Sequence, residues 1–322
     1  MTEELNQAVE TLLDARQVAI FTHINPDGDA LGSAFASKAL LEEMGVSAEV
    51  WLQEKIPERY SYLDAGYRIW EEGVHTDADC ALAVDCGTEG RLGRLAPLYL
   101  NAPKRVCIDH HFSSQPFGDV YYCKPEAAAT AELIHAAGKR MMGEFPMAAR
   151  IAIYTGLSTD TGHFKYSNVT ENTLLAAADL LRQGLDARKI TWTLYDRVKL
   201  EKYRFMGAAA ERVERYANGA MAVLHCPDSF LEEYGVKHED VEELPNMATG
   251  LDGVLVSVLV KDNVEKGLKY SLRGRERLDL SKIAGRFGGG GHKNAAAFVS
   301  EADSAEVIRE LVKIVSEELE HV

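Results

Sequence analysis

The sequence predicts an α/β protein in which a doubly wound, mainly parallel sheet forms an N-terminal domain and a smaller α/β domain follows. Short apolar runs alternate with helical patterns through the first half of the chain, which argues for a parallel sheet. Several of these runs end directly in His and Asp residues. A chain of 322 residues is long for one domain and sufficient for two.

The elements of the N-terminal domain follow from these patterns. Residues 17–22 form an apolar run that predicts a buried strand, and residues 30–44 keep the spacing of a helix that stops at Gly45. Further strands are expected at 46–52, 80–84 and 105–108, and helices at 127–141, 146–158, 170–183 and 186–196.

The smaller domain is predicted to begin near Gly219. A strand at 220–225, a hairpin of 254–260 with 268–273, and a final amphipathic helix at 302–319 are its main elements. Residues 197–216 predict a long charged helix that connects the two parts. We therefore expect a first domain over 1–190, a helical linker over 191–216 and a second domain over 217–322, with the active-site cleft between the domains.

The net charge of the chain limits the classes of ligand that it is expected to bind. A formal net charge of −15 argues against a protein that grips long nucleic acid through its phosphates. Between Lys266 and Lys293, however, eight basic residues are accompanied by only Glu276 and Asp279. A solvated charged surface explains Lys266 and Lys269 well enough. The concentration of charge also suits a small anionic ligand, while the overall acidity discourages long polymers.

Nothing in the sequence predicts a membrane or secreted protein. No apolar run approaches the ~20 residues of a membrane helix, and the N-terminus lacks the pattern of a signal peptide. The five cysteines are scattered without a CxxC pair, and Cys80, Cys86 and Cys107 lie in or beside apolar runs. We therefore expect reduced thiols, a cytoplasmic location and no membrane partner.

The segment between the first predicted strand and helix is dense in candidate metal ligands. His23, Asp27 and Asp29 fall within a few residues of one another, and imidazole and carboxylate groups bind divalent cations. The alternative is an Asn-Pro-Asp-Gly turn whose carboxylates only cap the following helix. Taken alone, the segment does not decide between the two.

Two further predicted strands also end in ionisable residues. Asp85 follows the run at 80–84, and Asp109, His110 and His111 follow the run at 105–108. In doubly wound sheets, ligands bind beyond the carboxyl ends of the strands, at a topological switch point. Strands that end together in His and Asp are hard to explain as helix caps, so a metal centre is favoured.

The candidate ligands suit a site with two cations. Carboxylates mixed with imidazoles favour Mn²⁺, Mg²⁺ or Zn²⁺ over thiolate-binding ions. One carboxylate would have to bridge the cations, and Asp85 is the best candidate because it comes alone from a central strand. Such a pair lowers the pKa of a bridging water and neutralises the oxygens of an in-line displacement at phosphorus. Asp160, where a predicted helix gives way to a glycine turn, is by itself an ordinary turn residue.

The glycine run at 288–291 has two explanations. It can be a mobile hairpin, or its backbone N–H groups can approach a phosphate. His292 and Lys293 follow directly, and Arg273 on the preceding predicted strand can add a charge-assisted contact. We favour an anion pocket that faces the metals across the cleft.

These motifs resemble those of a known superfamily. The four motifs of the DHH phosphoesterases are similar to His23-x-Asn-Pro-Asp27-x-Asp29, Asp85, Asp109-His110-His111 and Asp160-Thr-Gly162. Their DHH-associated C-terminal domain resembles Ser271-x-Arg273 with Gly288-Gly-Gly-Gly-His292. The order and spacing of these motifs match those of the superfamily over about 17–300. The compact two-domain length most resembles the oligoribonuclease-type (nanoRNase) branch.

The resemblance implies a role for each residue. One Mn²⁺ would be held by His23, Asp27 and Asp85, and the other by Asp29, Asp85, His110 and Asp160, with Mg²⁺ or Co²⁺ as alternative cations. His111 would touch the scissile phosphate, and Asp109 would orient neighbouring groups. The substrate's remote phosphate or nucleotide would be bound by Arg273 and His292, with Ser271, Gly289, Gly290 and Gly291.

Two positions fall outside this pattern. Ala297 stands where the glycine-rich motif commonly ends in glycine, which bears on the finer substrate preference and not on the chemistry. His163 follows Asp160-Thr-Gly162 without an assigned role, and packing is favoured over a contact with substrate.

The resemblance also implies an activity. It is hydrolysis of very short oligoribonucleotides to mononucleotides, and of 3′-phosphoadenosine 5′-phosphate to AMP, by water activated between two cations. The alternative is a stand-alone phosphodiesterase for cyclic dinucleotides or linear pApA. An inorganic pyrophosphatase is disfavoured because it would carry a Ser-Arg-Lys-type motif. A catalytically dead nucleotide-binding regulator is disfavoured because every expected ligand is present. Short RNAs or small nucleotides are the expected partners, long duplex DNA is not, and a homodimer is a hypothesis.

Overall fold

The computed structural model describes residues 3–112, 114–241, 244–263, 266–275 and 278–320, without the side chains of residues 239, 240, 292 and 320. The chain forms two compact units, Met1–Arg197 and Val198–Val322. Each unit is built around a six-stranded sheet.

A parallel sheet forms the middle of the first unit. Its strands are β1 (Gln17–Phe21), β2 (Ser47–Leu52), β3 (Tyr67–Ile69), β4 (Cys80–Val84), β5 (Lys104–Asp109) and β6 (Val120–Cys123). They lie in the order β3-β2-β1-β4-β5-β6, and every pairing is parallel. The chain moves outwards from β1 to β3 and then returns to the other side of β1. A topological switch point therefore lies between β1 and β4.

Helices cover both faces of this sheet. They are α1 (Glu3–Leu13), α2 (Gly28–Glu43), α3 (Ala96–Leu100), α4 (Thr130–Met141), α5 (Met147–Asp160), α6 (Glu171–Arg182) and α7 (Ala187–Thr191), with 3₁₀ segments at Glu58–Leu63 and Glu89–Leu95 and a π turn at Trp192–Asp196. Val18 and Ile20 of β1 belong to the apolar core on one face, whereas Ala19 and Phe21 belong to the core on the other. Because both faces are buried, the central strands carry apolar runs, such as the whole of β4, as the sequence indicated.

Close packing of α2 against α5 brings two predicted ligands together. At Gly156 of α5, a Cβ atom would lie only 2.6 Å from Oδ1 of Asp29 on α2. The absence of a side chain at Gly156 therefore lets the first turn of α2 approach the last turns of α5, which ends at Asp160.

The second unit contains a mixed sheet. Its strands are β7 (Glu214–Tyr216), β8 (Met221–Cys226), β9 (Val256–Asp262), β10 (Leu268–Gly274), β11 (Gly290–His292) and β12 (Ala295–Ser300), and its helices are α8 (Leu200–Glu211), α9 (Asp228–Tyr234), α10 (Leu244–Ala248), α11 (Leu280–Gly285) and α12 (Ser304–Glu320), with 3₁₀ turns at Ala217–Gly219 and His238–Val241. The order is β11-β12-β10-β9-β8-β7, and only the β8–β9 pair is parallel among these described strands. The predicted fold class, a parallel doubly wound domain followed by a smaller α/β domain, is confirmed.

Some details differ from the expectation. Phe205 and Ala209 of α8 are buried in a core of the second unit, and β7 pairs with β8. The segment expected as a linker over 191–216 therefore packs as part of the second unit from Val198 onwards. The short strands β3 and β6 were not predicted, and they are the two edge strands of their sheet. Among the described residues, no helix combines the length and the apolar character needed to cross a membrane.

Candidate metal centre

The segment after β1 turns sharply into α2. His23 is buried, and its Nδ1 lies 2.7 Å from the carbonyl oxygen of Ile24. Asp27 is the N-cap of α2, and its Oδ1 accepts hydrogen bonds of 3.0 Å from the backbone N–H groups of Asp29 and Ala30. The capping alternative is therefore correct for one oxygen of Asp27. It leaves the second oxygen available as a metal ligand.

Asp85 stands immediately after β4, in contact with several imidazoles. Its φ of 56° lies in the left-handed region, which is strained for a residue other than glycine. Its Oδ2 lies 3.6 Å from Nε2 of His23, and its Oδ1 accepts a hydrogen bond of 2.9 Å from Oγ1 of Thr130. Burial acts to raise the pKa of Asp85, but the hydrogen bond to His23 and the charges of His110 and His111 lower it overall. Asp85 is therefore a buried, ionised carboxylate.

The residues at the end of β5 point to different partners. Nδ1 of His110 lies 3.1 Å from the carbonyl oxygen of Ala127, and its Nε2 lies 3.3 Å from Oδ2 of Asp160. Nδ1 of His111 instead lies 2.8 Å from Oδ1 of the fully buried Asp109. This hydrogen bond raises the pKa of His111, against the opposing effect of burial. His110 thus faces the other acidic groups, while Asp109 fixes the ring of His111.

Asp29 is held by the N-terminus of α4. Its carboxylate accepts hydrogen bonds from the backbone N–H groups of Thr130 at 2.6 Å and Ala131 at 2.9 Å, and from Oγ of Ser33 at 3.2 Å. A helix N-terminus favours a negative charge at this place. Burial and the neighbouring carboxylates nevertheless raise the pKa of Asp29 well above its usual range. Without a cation, the site therefore holds more negative charge than its donors compensate.

Asp160 is the last residue of α5 and completes the cluster. Burial raises its pKa to about 6, against the opposing charge of His110. Its backbone carbonyl accepts a hydrogen bond of 3.1 Å from the side-chain amide of Asn168, which also donates one of 3.0 Å to the carbonyl of Ala128. Asn168 therefore joins the end of α5 to the segment that precedes α4.

These side chains form three groups that could each hold a metal ion, with ligand atoms within 4.8 Å of one another. The groups are His23, Asp27 and Asp85; Asp29, His110 and Asp160; and Asp85, His110 and His111. Among the described residues, no Lys or Arg forms an ion pair with Asp29, Asp85 or Asp160. Buried carboxylates that lack a basic partner, mixed with imidazoles, are a donor set that fits divalent cations. Every ligand predicted in the first unit is found in this cluster.

Several supporting residues were not predicted. Thr130, Ser33 and Asn168 carry no charge and belong to no metal-ligand pattern, although Thr130 lies near the start of a predicted helix. His163, which the sequence left without a role, has its Nδ1 3.0 Å from Oγ of Ser158. Its ring centroid lies 4.9 Å from that of Tyr195, so His163 is packed and hydrogen-bonded within the first unit.

The residues predicted to bind substrate lie together on the second sheet. Across β10, β12 and β11, one row consists of Ser271, Ala297 and Gly290, and the next of Arg273, Ala295 and the position of His292. Directly opposed residues share a face of the sheet, so the small residues form a floor beside Ser271 and Arg273. The side chain of His292 lies outside the described part of the chain.

The glycine run is not a loose hairpin, since its second half is strand β11. A Cβ atom at Gly289 would lie 2.2 Å from the carbonyl oxygen of Ala297, and one at Gly291 would lie 2.4 Å from that of Ala295. Close packing of β11 on β12 therefore requires glycine at both positions. An anion-binding role for the run stays a prediction.

Comparison with known protein families agrees with this division of the chain. The model for the DHH family, N-terminal domain, matches residues 17–157, and the model for the DHHA1 domain matches residues 218–321. The first match contains every residue of the three candidate metal-binding groups except Asp160. The second contains Ser271, Arg273 and the glycine run.

Curated relatives match over most of the chain. The bifunctional oligoribonuclease and PAP phosphatase NrnA of Thermus thermophilus is 28% identical, over 94% of this chain and 90% of its own. The protein of the same name from Bacillus subtilis is 25% identical, over 87% of this chain and 88% of its own.

Solved structures share the fold. An exopolyphosphatase-related protein from Bacteroides fragilis superposes with a TM-score of 0.88 at 22% identity, covering 100% of this chain and 98% of that one. The exonuclease RecJ bound to manganese superposes with a TM-score of 0.53 at 15% identity, covering 100% of this chain and 97% of that one. With both domain types present in order and relatives aligned over nearly the whole length, the chain belongs to the DHH phosphoesterase superfamily, in its nanoRNase branch.

Proposed function

We propose that this protein is a metal-dependent phosphoesterase that hydrolyses very short oligoribonucleotides to mononucleotides, and 3′-phosphoadenosine 5′-phosphate to AMP. The observation that carries the proposal is the convergence of His and Asp side chains from three strand ends and one helix end at the switch point of a parallel sheet. The names of the curated relatives support the substrate class.

The cluster offers ligands for two divalent cations. In the proposal, one is held by His23, Asp27 and Asp85, and the other by Asp29, Asp85, His110 and Asp160. Mn²⁺ is the proposed ion, with Mg²⁺ or Co²⁺ as alternatives. When bound, such a pair supplies an activated water and neutralises charge on the reacting phosphate. Asp85 is grouped with His23 and Asp27 on one side, and its Oδ1 lies 3.6 Å from Nε2 of His110 on the other, which supports its role as the shared carboxylate.

The residues around the ligands have roles of their own. Thr130 fixes the direction of the Asp85 carboxylate through its hydroxyl. Asp109 holds Nδ1 of His111, so that Nε2 of the same ring is presented to a substrate. The raised pKa of His111 favours its protonated form, which can donate a hydrogen bond to a phosphate oxygen.

The second unit supplies the proposed substrate site. Within the described residues, the guanidinium of Arg273 bonds only to the carbonyl of the neighbouring Leu272, at 3.0 Å, which leaves donors for a phosphate. Ser271, one row away, and the β11 glycines Gly290 and Gly291 lie on the same three strands, and Gly289 directly precedes them. We assign to this surface the remote phosphate or nucleotide of the substrate.

The charge distribution supports short substrates. The window with eight basic residues between Lys266 and Lys293 lies in a chain whose net charge is −15, so a short anion can be held while a long polymer is repelled. All five cysteines are free, which is in keeping with the cytoplasmic location that we propose.

A substrate panel tests the proposal. Purified protein with Mn²⁺ is given RNAs of stepped length, linear pApA, cyclic dinucleotides, 3′-phosphoadenosine 5′-phosphate and pyrophosphate, and kcat/KM is measured for each. We expect the shortest RNAs and 3′-phosphoadenosine 5′-phosphate to rank highest. A dominant rate on pApA or cyclic dinucleotides would favour the alternative phosphodiesterase, and no hydrolysis of any compound would favour a nucleotide-binding regulator.

A further inference from the structure

Arg91 is an exposed arginine near the candidate metal centre, and it has no role in the function proposed above. It lies in the 3₁₀ segment Glu89–Leu95, which follows Asp85 after a short connection. Among the described residues, no hydrogen bond or ion pair involves its side chain. In a chain with 50 acidic residues, an arginine without a carboxylate partner beside an acidic cluster calls for an explanation.

The backbone around Arg91 is fixed to the sheet edge that carries the metal centre. Its carbonyl accepts a hydrogen bond of 2.9 Å from the backbone N–H of Ile24, the residue after His23. Gln53, which follows β2, accepts a hydrogen bond of 3.1 Å from the backbone N–H of Arg94. The segment is therefore tied to the ends of β1 and β2, and Arg91 projects from a defined position and not from a free loop.

The connection that leads to Arg91 passes close to His111. A Cβ atom at Gly87 would lie 3.5 Å from Cβ of His111 and 3.7 Å from Oδ2 of Asp109. One turn later, the backbone N–H of Arg91 donates a hydrogen bond of 3.0 Å to the carbonyl of Thr88.

A guanidinium that makes no ion pair or hydrogen bond among the described residues is available to bind a phosphate. Arginine binds phosphate through parallel N–H donors, and a donor placed where negative charge develops lowers the barrier to reaction. Hydrolysis of a phosphate ester forms a bond from the water oxygen to phosphorus, and the bond to the leaving oxygen breaks. That oxygen keeps the electron pair and takes up a proton. Negative charge meanwhile builds up on the non-bridging oxygens.

We propose that Arg91 is a catalytic residue, which binds a non-bridging oxygen of the substrate phosphate beside His111. Arg91 exchanges no atom or electron and only stabilises the charge on that oxygen. The choice of a phosphate ester as ligand rests on the proposed function.

Arg94 provides a matched control on the same segment. It is also exposed, but its guanidinium lies over the ring of Trp70, 5.1 Å from the centroid. We expect Arg91→Ala to lower kcat/KM for 3′-phosphoadenosine 5′-phosphate by about 10²–10³-fold, mainly through kcat, as for other donors to a developing oxyanion. Arg91→Lys should recover part of this loss. Arg94→Ala should keep the wild-type kcat/KM.

Two binding measurements separate this role from others. Mn²⁺ binding, followed by calorimetry, should be the same in wild type and Arg91→Ala, because Arg91 is not a ligand. Inorganic phosphate should bind the Mn²⁺-loaded Arg91→Ala protein about tenfold more weakly, a loss of about 1.4 kcal/mol. If Arg91→Ala keeps both the wild-type kcat/KM and the wild-type phosphate affinity, or if it loses Mn²⁺, the inference is wrong. If wild type hydrolyses none of the nucleotides but binds phosphate through Arg91, the proposed function fails and the anion site stands.

Discussion

Replacing Thr130 by valine tests how the chain orients the carboxylate that we assign to both cations. Thr130 is fully buried, and its hydroxyl donates a hydrogen bond of 2.9 Å to Oδ1 of Asp85. Valine keeps the shape of the side chain, and it keeps the backbone N–H that binds Asp29 at 2.6 Å. The substitution therefore removes only the hydroxyl, and Oδ1 of Asp85 then faces a methyl group.

The size of the effect follows from that one hydrogen bond. A hydrogen bond to a charged group contributes about 1.5–3 kcal/mol, and the loss leaves a buried acceptor without its donor. Residues that orient metal ligands change metal affinity by about 10–100-fold when they are replaced, which is the same range of free energy. We expect Thr130→Val to weaken Mn²⁺ binding by about 10–100-fold and to lower the free energy of unfolding.

Thr173 offers a control with the same chemistry. Its hydroxyl is also buried, and it donates a hydrogen bond of 2.7 Å to Oε2 of Glu132, which belongs to none of the ligand groups. Calorimetric titration with Mn²⁺ and unfolding in urea are to be measured for both variants. Thr173→Val should lose stability and keep its Mn²⁺ affinity. Equal Mn²⁺ affinities for wild type, Thr130→Val and Thr173→Val would refute the reasoning.

Two further predictions concern packing and protonation. Gly156→Ala places a methyl group within about 2.6 Å of Oδ1 of Asp29, so it should destabilise the protein by about 1–3 kcal/mol and weaken Mn²⁺ binding. Gly207→Ala, at an exposed helical glycine with no neighbouring atoms, should do neither; unfolding in urea compares them, and equal stability of both variants contradicts the packing argument. Mn²⁺ affinity should fall as the pH drops through about 6, because burial raises the pKa of Asp160 to about 6 and a protonated carboxyl cannot bind the ion. Calorimetry in buffers of different ionisation enthalpy should show proton release near that pH, and equal affinity on both sides of it would show that Asp160 is not a ligand.

The parts of the fold that sequence alone predicted are those with a strong local signal. The strands β1, β4 and β5 contain apolar runs because both faces of their sheet are buried, and each is followed by residues predicted as metal ligands. The short outer strands β3 and β6 gave a weaker signal because only a few of their residues pair with the sheet. In the segment expected to link the domains, Phe205 is buried by residues farther along the chain, a contact that no local pattern predicts.

The residues of the site likewise divide into those that the sequence predicted and those that it did not. Its candidate ligands could be predicted because His and Asp at strand ends form a pattern, whereas the residues that hold them lie far away in sequence. Asp29 and Thr130 are 101 residues apart, and nothing near Asp29 predicts that the N-terminus of α4 will hold it. At Asp27 the two interpretations are compatible, since one of its oxygens caps α2 and this leaves the other for a metal. Arg91 gave no signal, because a single arginine in a polar segment has no pattern.

The most direct test of the two-cation site is the number of Mn²⁺ ions that wild type and Asp85→Ala bind, measured by calorimetry. Hydrolysis of short RNA is measured on the same samples. We propose that Asp85 serves both cations, so wild type should bind two Mn²⁺ per chain. Asp85→Ala should then lose tight binding of both, together with hydrolysis of short RNA. An Asp85→Ala protein that binds Mn²⁺ as wild type does and keeps the wild-type rate would contradict the two-cation site.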